Sequence, residues 1–250
     1  MGSKEFRILS YNIHKGFTSA NTKFVLKDVR QTINEVQADI LFLQEVVGAN
    51  SKKGRRHKNW PTMSQFEYLA GEIWPHYAYG KNAVYSSGHH GNAILSKYPI
   101  TFWENVDVSH NRFERRGLLH GVIEIPKYGP LHVICLHFAL FETWREPQIE
   151  ILCSRIGSHV PPNAPLIIAG DFNDWREQAS IELGKRLGVG EVFQTKFGTH
   201  AKTFPAWFPL LKLDRVYSRG LQINDAVCFN EGPWKVLSDH APLCVDFVLS

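Results

Sequence analysis

From Phe6 to Asn12 apolar and polar residues alternate, a two-residue period that predicts a strand, and the strand runs into the polar turn Asn12-Ile-His-Lys-Gly16. The period then changes: Phe24, Val25, Val29, Ile33 and Val36 recur at helical spacing between Asn21 and Gln37. Asp39-Ile-Leu-Phe-Leu43 is an unbroken apolar run, which predicts a strand covered on both faces, and it ends in Gln44-Glu45. The same reading gives a basic loop over 51–58 and a short helix over 63–73. Strands follow over 92–96, 101–108, 117–125 and 130–138, with Arg112 to Arg116 between the second and third of these. The stretch 141–159 has mostly helical composition, with Pro147 expected in its first turn or at an interruption. Pro165-Leu-Ile-Ile-Ala169 reads as a buried strand that closes on Gly170-Asp171-Phe172-Asn173-Asp174. Beyond it lie a helix over 177–187, a loop over 195–211 rich in aromatics and proline, and strands over 212–217, 221–229 and 241–249. Strands outnumber helices about two to one, which predicts a mixed α/β sandwich more than a regular βαβ winding.

Composition adds bounds. A chain of 250 residues, 44% hydrophobic and 21% charged, is ordinary for a globular protein and long enough to bury a core without disulfides. With no repeat and no linker, a single domain over 1–250 is expected, its first five residues disordered or a cloning remnant. No apolar run approaches the length of a membrane span. The four cysteines form no CxxC pair, and Cys135, Cys228 and Cys244 lie in strand-like surroundings, so free thiols in a reducing, cytoplasmic compartment are expected. Met1-Gly2-Ser3 has the look of a cloning remnant, which leaves room for a native leader. The net charge of +4 and the pI near 8.8 permit an anionic substrate without demanding one.

Strand ends carry the chemistry. Asn12, Glu45, Asn92, His137, Asp171, Asn173, Asp214, Asp239 and His240 all stand where an apolar strand starts or stops. Each has an ordinary explanation. Asn12 and Asn92 suit turns, Glu45 a cap, His137 a satisfied core position, Asp214 a local pair with Arg215, and Ser238-Asp239 an Asx or ST turn. As a set, nine such coincidences of type and place are harder to accept. Carboxylates and amide oxygens suit Mg²⁺ or Mn²⁺, and two histidines supply acid and base near neutral pH. With arginines nearby, the set points to hydrolysis of a phosphate ester. No GxSxG, P-loop or HExxH element competes.

YNIHKG (11–16), LQEV (43–46), GNAILSKYPI (91–100), the histidine of CLHFAL (135–140), GDFND (170–174), LDRVYS (213–218) and SDHAPL (238–243) occur in the order expected of the endonuclease/exonuclease/phosphatase superfamily. The chain resembles that family from about residue 6 to residue 248, and is similar to small bacterial members. The resemblance implies an α+β four-layer sandwich, two mixed β-sheets face to face with helices outside, and metal-dependent hydrolysis of phosphodiesters or phosphomonoesters with Mg²⁺ or Mn²⁺. It implies Glu45 as principal metal carboxylate with Asn12 beside it, and Asp239 at the metal-proximal edge. Asp171 would position or deprotonate the attacking water, Asn173 would hold the phosphate or that water, and His240 would contact the phosphate, oriented by Asp214. His137 resembles the subset with pancreatic deoxyribonuclease and neutral sphingomyelinases, where it would help protonate the leaving oxygen. The sequence does not choose between Asp171 and His240 as the base. Asn92 is expected to aim its amide at the phosphate, and Arg116 is preferred to Arg115 as a phosphate ligand because the family often has an arginine just before this strand. His89 and His90 are expected to be structural.

Two substrate classes follow. Nucleic acid is the first, and predicts a groove lined by Lys and Arg. The second is a phospholipid or small phosphorylated metabolite, with peripheral membrane contact. For a lipid, it predicts an exposed apolar patch near the site, formed by Phe204, Trp207 and Phe208. A non-catalytic binding protein on the same scaffold is the reading from another class; it would normally have lost one of Glu45, Asp171, Asp239 and His240, and all are present.

Overall fold

The computed structural model describes residues 3–111 and 114–249, so Met1, Gly2, Arg112, Phe113 and Ser250 lie outside the described residues. Two six-stranded sheets form its centre. The first holds β1 (Lys4–Asn12), β2 (Ile40–Asn50), β3 (His76–Tyr85), β4 (Gly88–Ser96) and two late strands, β11 (Gln222–Cys228) and β12 (Leu243–Leu249). The second holds β5 (Ile100–Asp107), β6 (Gly117–Ile125), β7 (Gly129–His137), β8 (Leu166–Asp171), β9 (Gly190–Glu191) and β10 (Asp214–Arg219). Their orders are β11-β12-β1-β2-β4-β3 and β5-β6-β7-β8-β10-β9. Both sheets are mixed, because β1–β2 and β7–β8 pair in parallel among antiparallel neighbours.

Period-two alternation sorts the side chains into layers. Ile8, Phe42, Ile94 and Phe247 of the first sheet meet Leu119, Val133, Cys135, Ile167 and Val216 of the second in a core between the sheets. The residues between them face outward. Leu9, Leu41, Leu43 and Leu95 are covered by α1 (Leu26–Val36), through Val29 and Ile33, and by Leu69 of α3 (Gln65–Ala70). Leu118, Ile134, Leu136 and Ile168 are covered by α4 (Glu142–His159) and α5 (Gln178–Leu187), through Leu152, Ile156 and Leu183. The expected four-layer sandwich is therefore present. No helix among the described residues is long and apolar enough to cross a membrane.

Several boundaries differ from the sequence reading. The segment 51–58 is not a loop throughout: α2 (Ser51–Arg56) begins where the Asn50 side chain accepts the Lys53 N–H at 2.9 Å. The strand β3 goes unpredicted because it is an edge strand, half exposed, with polar residues on both faces. The loop expected from 195 begins inside α6 (Val192–Phe197), capped by Glu191. Pro147 lies within α4, past its first turn, and the helix runs through it. Lys4 and Glu5 are not outside the fold: they pair with Leu249 and Val248. All four cysteines are free.

Two features generate tests of stability. Gly170, at φ +148°, lies against β7, where an added Cβ would sit 2.0 Å from the Leu136 carbonyl oxygen. Gly170→Ala is expected to cost about 2–4 kcal/mol, seen as a fall of about 5–15 °C in Tm; an unchanged Tm would contradict the packing. On the outer face of the second sheet, His120 Nε2 lies 3.1 Å from His132 Nδ1, and Arg155 Nε donates to His120 Nδ1 at 3.2 Å. Burial, with the Arg155 charge, pushes His120 down to about 4 from an ordinary 6.5. His120 is thus neutral in the fold but takes a proton once unfolded. Its stabilising effect is complete above pH 6.5 and is lost as pH falls toward about 4. Melting curves across that window should show the decline, and His120→Gln should flatten it.

Candidate active site

Four strands carry polar residues to one end of the sandwich. Asn12 ends β1, His137 ends β7, Asp171 ends β8 and Asp214 begins β10. Register places Asp171 directly opposite both His137 and Asp214. The turn Ser238-Asp239-His240, just before β12, is fixed to the same end because Ser238 Oγ donates to the Asn12 carbonyl at 2.7 Å.

Asp171 is the hub, with about 1% of its surface exposed. Its Oδ2 accepts the Asn12 amide at 3.2 Å and lies 3.4 Å from His137 Nε2 and 3.7 Å from His240 Nε2. Its Oδ1 accepts the Asn173 backbone N–H at 3.0 Å. The other nitrogen of His240, Nδ1, lies 2.7 Å from Asp214 Oδ2. Asp214 and Arg215 point to opposite faces of β10, so the local Asp214–Arg215 pair allowed by the sequence does not form. Burial, helped by Asp214 and opposed by His240, pushes the Asp171 carboxyl up to about 7. Burial works against charge on His240, but Asp214 and Asp171 outweigh it and raise this imidazole to about 10. His137 is held well below its ordinary value by burial and by the Arg116 charge, hence neutral.

Glu45 reaches the site through a bulge. Leu43 pairs with Ala93 and Val46 with Gly91, so two residues of β2 oppose Asn92 alone. At this bulge Glu45 adopts φ +57°. Burial disfavours its charge, yet Lys15, in direct ion-pair contact, holds the carboxyl well below the usual range. Asp239 Oδ2 lies 3.0 Å from His14 Nδ1. Burial again opposes charge and the His14 contact prevails, so Asp239 is lowered. Glu45 and Asp239 are close enough to repel each other.

Asn173 sits at φ +51° with its Nδ2 donated to the Phe138 carbonyl at 3.0 Å. The last residue of the GDFND turn has a different job. Asp174 is fully buried between Arg145 and Arg215, each at 3.6 Å, and accepts the Ala179 N–H at 2.7 Å. It therefore fixes the turn from behind.

Not every expectation holds in detail. Asn92 does not aim its NH₂ at the cleft: it donates to the carbonyls of Gly117 at 3.0 Å and Cys135 at 3.4 Å, joining the two sheets. Arg116 does lie at the site, where its charge acts on His137 and Asp171; its Nη2 pairs with Glu114 at 2.7 Å and its buried Nε has no hydrogen-bond partner among the described residues. Arg115 is directed to Asp107, at 3.7 Å. His89 contacts Tyr79 Oη at 3.0 Å, a structural role as expected. His14, Lys15 and Ser238 were passed over, although YNIHKG and SDH contain them. Polar residues flanking a recognised ligand were the available signal.

The donor set suits a hard cation. Glu45 and Asp239 offer charged oxygens, and the Asn12 amide oxygen keeps a free lone pair beyond its bond to the His14 N–H. A tighter group, Asp171, Asp214 and His240, has ligand atoms within 4.8 Å of one another. Its short His240–Asp214 bond already occupies one imidazole nitrogen, and an imidazole is a poor ligand for Mg²⁺, so this group reads better as a proton relay.

Comparison with known proteins agrees with this geometry. The chain is 44% identical over 245 residues to the "Uncharacterized protein YbhP" of Escherichia coli (strain K12), covering 98% of this chain and 96% of that one. An endonuclease/exonuclease/phosphatase from Bacteroides vulgatus superposes with a TM-score of 0.75 at 19% identity, covering 99% of this chain and all of the other. D. rerio TDP2, solved in complex with a single-strand DNA product, gives 0.74 at 17% identity over 97% of this chain and 98% of its own. These structural likenesses speak for the fold. The family model described as "Endonuclease/Exonuclease/phosphatase family" matches residues 9–240, and the chain belongs to that family of phosphoester hydrolases.

Proposed function

We propose that this protein is a divalent-metal-dependent phosphoesterase that cleaves a phosphodiester by attack of an activated water. The observation that carries the reading is the convergence on Asp171 of Asn12, His137 and His240, with Asp214 behind His240. Glu45, Asp239 and Asn12 would hold Mg²⁺ or Mn²⁺, which when bound would polarise the phosphoryl oxygens and offset their charge.

The residues of the chain would do the rest. Asp171, held by the Asn173 N–H and the Asn12 amide, presents a carboxylate oxygen that positions and deprotonates water. His240, kept protonated by Asp214, would face the phosphate as a cation and donor. His137 holds its neutral imidazole 3.4 Å from Asp171 Oδ2, and would pass to the leaving oxygen the proton that Asp171 takes from water. Arg116 adds positive charge at the same point. Glu45, Asp171, Asp239 and His240, of which a non-catalytic relative would normally have lost one, are all present.

Both substrate classes keep support. Lys15 and Lys53 stand near Glu45, and Arg116 acts on His137; these cations suit a polyanion such as nucleic acid. Trp207 and Phe208 are exposed on the loop whose Phe204 ring packs against His240, and suit a lipid-borne phosphoester.

Purified protein with Mg²⁺ or Mn²⁺ is expected to hydrolyse bis-p-nitrophenyl phosphate or p-nitrophenyl phosphate, and EDTA to abolish the rate. Inertness toward both esters, single-stranded DNA and duplex DNA would overturn the reading. Asp171→Asn should lower kcat by about 10²–10⁴ while circular dichroism stays unchanged; wild-type rates would remove Asp171 from its role. Glu45→Ala should raise the metal concentration for half-maximal rate by about tenfold or more, and an unchanged titration would show that Glu45 is not a ligand.

A further inference from the structure

The loop Pro205 to Leu211 exposes large apolar side chains beside the catalytic turn. Trp207 is 62% exposed, Phe208 58%, Leu210 55% and Leu211 41%. Such a contiguous patch is unfavourable in water unless something covers it. The exposure is built into the loop. Leu210 and Leu211 both donate to the Phe204 carbonyl at 2.8 Å, Thr203 donates to the Leu211 carbonyl at 2.9 Å, and Phe208 donates to the Pro205 carbonyl at 3.0 Å. The closed loop is joined to the site: Ala206 N–H donates to the Asp239 carbonyl at 2.7 Å, and the Phe204 ring lies 5.0 Å from that of His240. A second exposed pair, Leu140 and Phe141, follows His137 on the adjacent connection.

Chemistry separates the possible occupants. From Thr203 to Leu211 no side chain is ionisable. A platform for nucleic-acid bases needs cations among its aromatics to follow the phosphates; here the next one, Lys212, is bound to Glu177 at 2.7 Å. Leucines add apolar area without a face on which a base stacks. Indole, phenyl and leucine side chains together suit the boundary between headgroups and acyl chains. On the Glu45 side stands α2 and its continuation, where Lys52, Arg55, Arg56 and Lys58 are exposed and none pairs with a carboxylate among the described residues. These cations lie on and just beyond α2, which follows directly from the end of β2, the strand that carries Glu45, and Lys53 of the same helix acts electrostatically on Lys15 and Glu45. The His240 side of the site thus carries an apolar loop and the Glu45 side a cationic helix, a complement to an anionic lipid surface.

We propose that the Pro205 to Leu211 loop is an interfacial anchor that seats the catalytic mouth on an anionic phospholipid surface, so that the phosphoester reaching Asp171 is one carried in that surface. The identity of that substrate rests on the phosphoesterase reading; the docking does not.

Vesicle flotation tests it, with EDTA present so that no turnover enters the measurement. Failure of docking and failure of catalysis are then separate results. Wild-type protein is expected to float with phosphatidylglycerol–phosphatidylcholine vesicles, and weakly or not at all with phosphatidylcholine alone. The double variant Trp207→Ser, Phe208→Ser should lose about tenfold or more in binding at an unchanged melting temperature. Replacing Lys52, Arg55, Arg56 and Lys58 by alanine should weaken binding most at low salt. Three results would overturn the proposal: no flotation of wild type, equal flotation of the double variant, or equal binding to purely zwitterionic vesicles. Single-stranded oligonucleotide bound by wild type and released by the double variant, without vesicle binding, would assign the loop to nucleic acid instead.

Discussion

A carboxylate taken almost wholly out of water, as Asp171 is, persists only where donors surround it. Its surroundings come from far apart in the chain: the Asn12 amide of β1 and the Asn173 N–H beyond β8 donate to it, and the imidazoles of His137, ending β7, and His240, before β12, lie 3.4 and 3.7 Å away. Two of these strands belong to one sheet and two to the other. The sheets must therefore keep their relative position to within hydrogen-bond tolerance. Asn92 contributes to this directly, reaching from β4 to the carbonyls of Gly117 and Cys135 on the opposing sheet. Behind the GDFND turn, the buried contacts of Asp174 with Arg145 and Arg215 hold α4, the turn and β10 together. An ion pair this deep contributes more to placement than to net stability.

Several residues at the same end have a strained backbone. His14, Lys15, Glu45 and Asn173 all have positive φ, although none is glycine. Each such residue costs energy that the surrounding packing must offset. At Glu45 the cause is visible, since the bulge turns a residue of a buried strand toward the cleft instead of the core. The carboxylates there would repel each other, and Lys15 and His14 keep them ionised.

Much of this was legible in the sequence, for particular reasons. Period-two alternation survives in strands such as β1 and β7 because opposite faces meet different layers. Polar residues at strand ends were conspicuous because no core position tolerates them unpaired. The edge strand β3 was not legible, since water on one face removes the apolar signal. Nor was the helix at 51–56, where an asparagine cap starts a turn in a run that composition alone assigns to a loop. Asn92 shows a different limit. Its place at a strand identified it as important, but only geometry shows its amide spent on two backbone carbonyls. The alternation of β10 also excludes a local Asp214–Arg215 pair, because it sends the two side chains to opposite faces.

The pairing of β1 with β12 has a bearing on how the molecule can be handled. Lys4 lies opposite Leu249, whereas Asn12, at the other end of β1, lies in the catalytic cluster. The two ends of the described chain thus emerge side by side at the pole away from the cleft. A fluorophore, affinity handle or surface tether attached there would leave the reactive face unobstructed. It would also orient an immobilised molecule with that face outward.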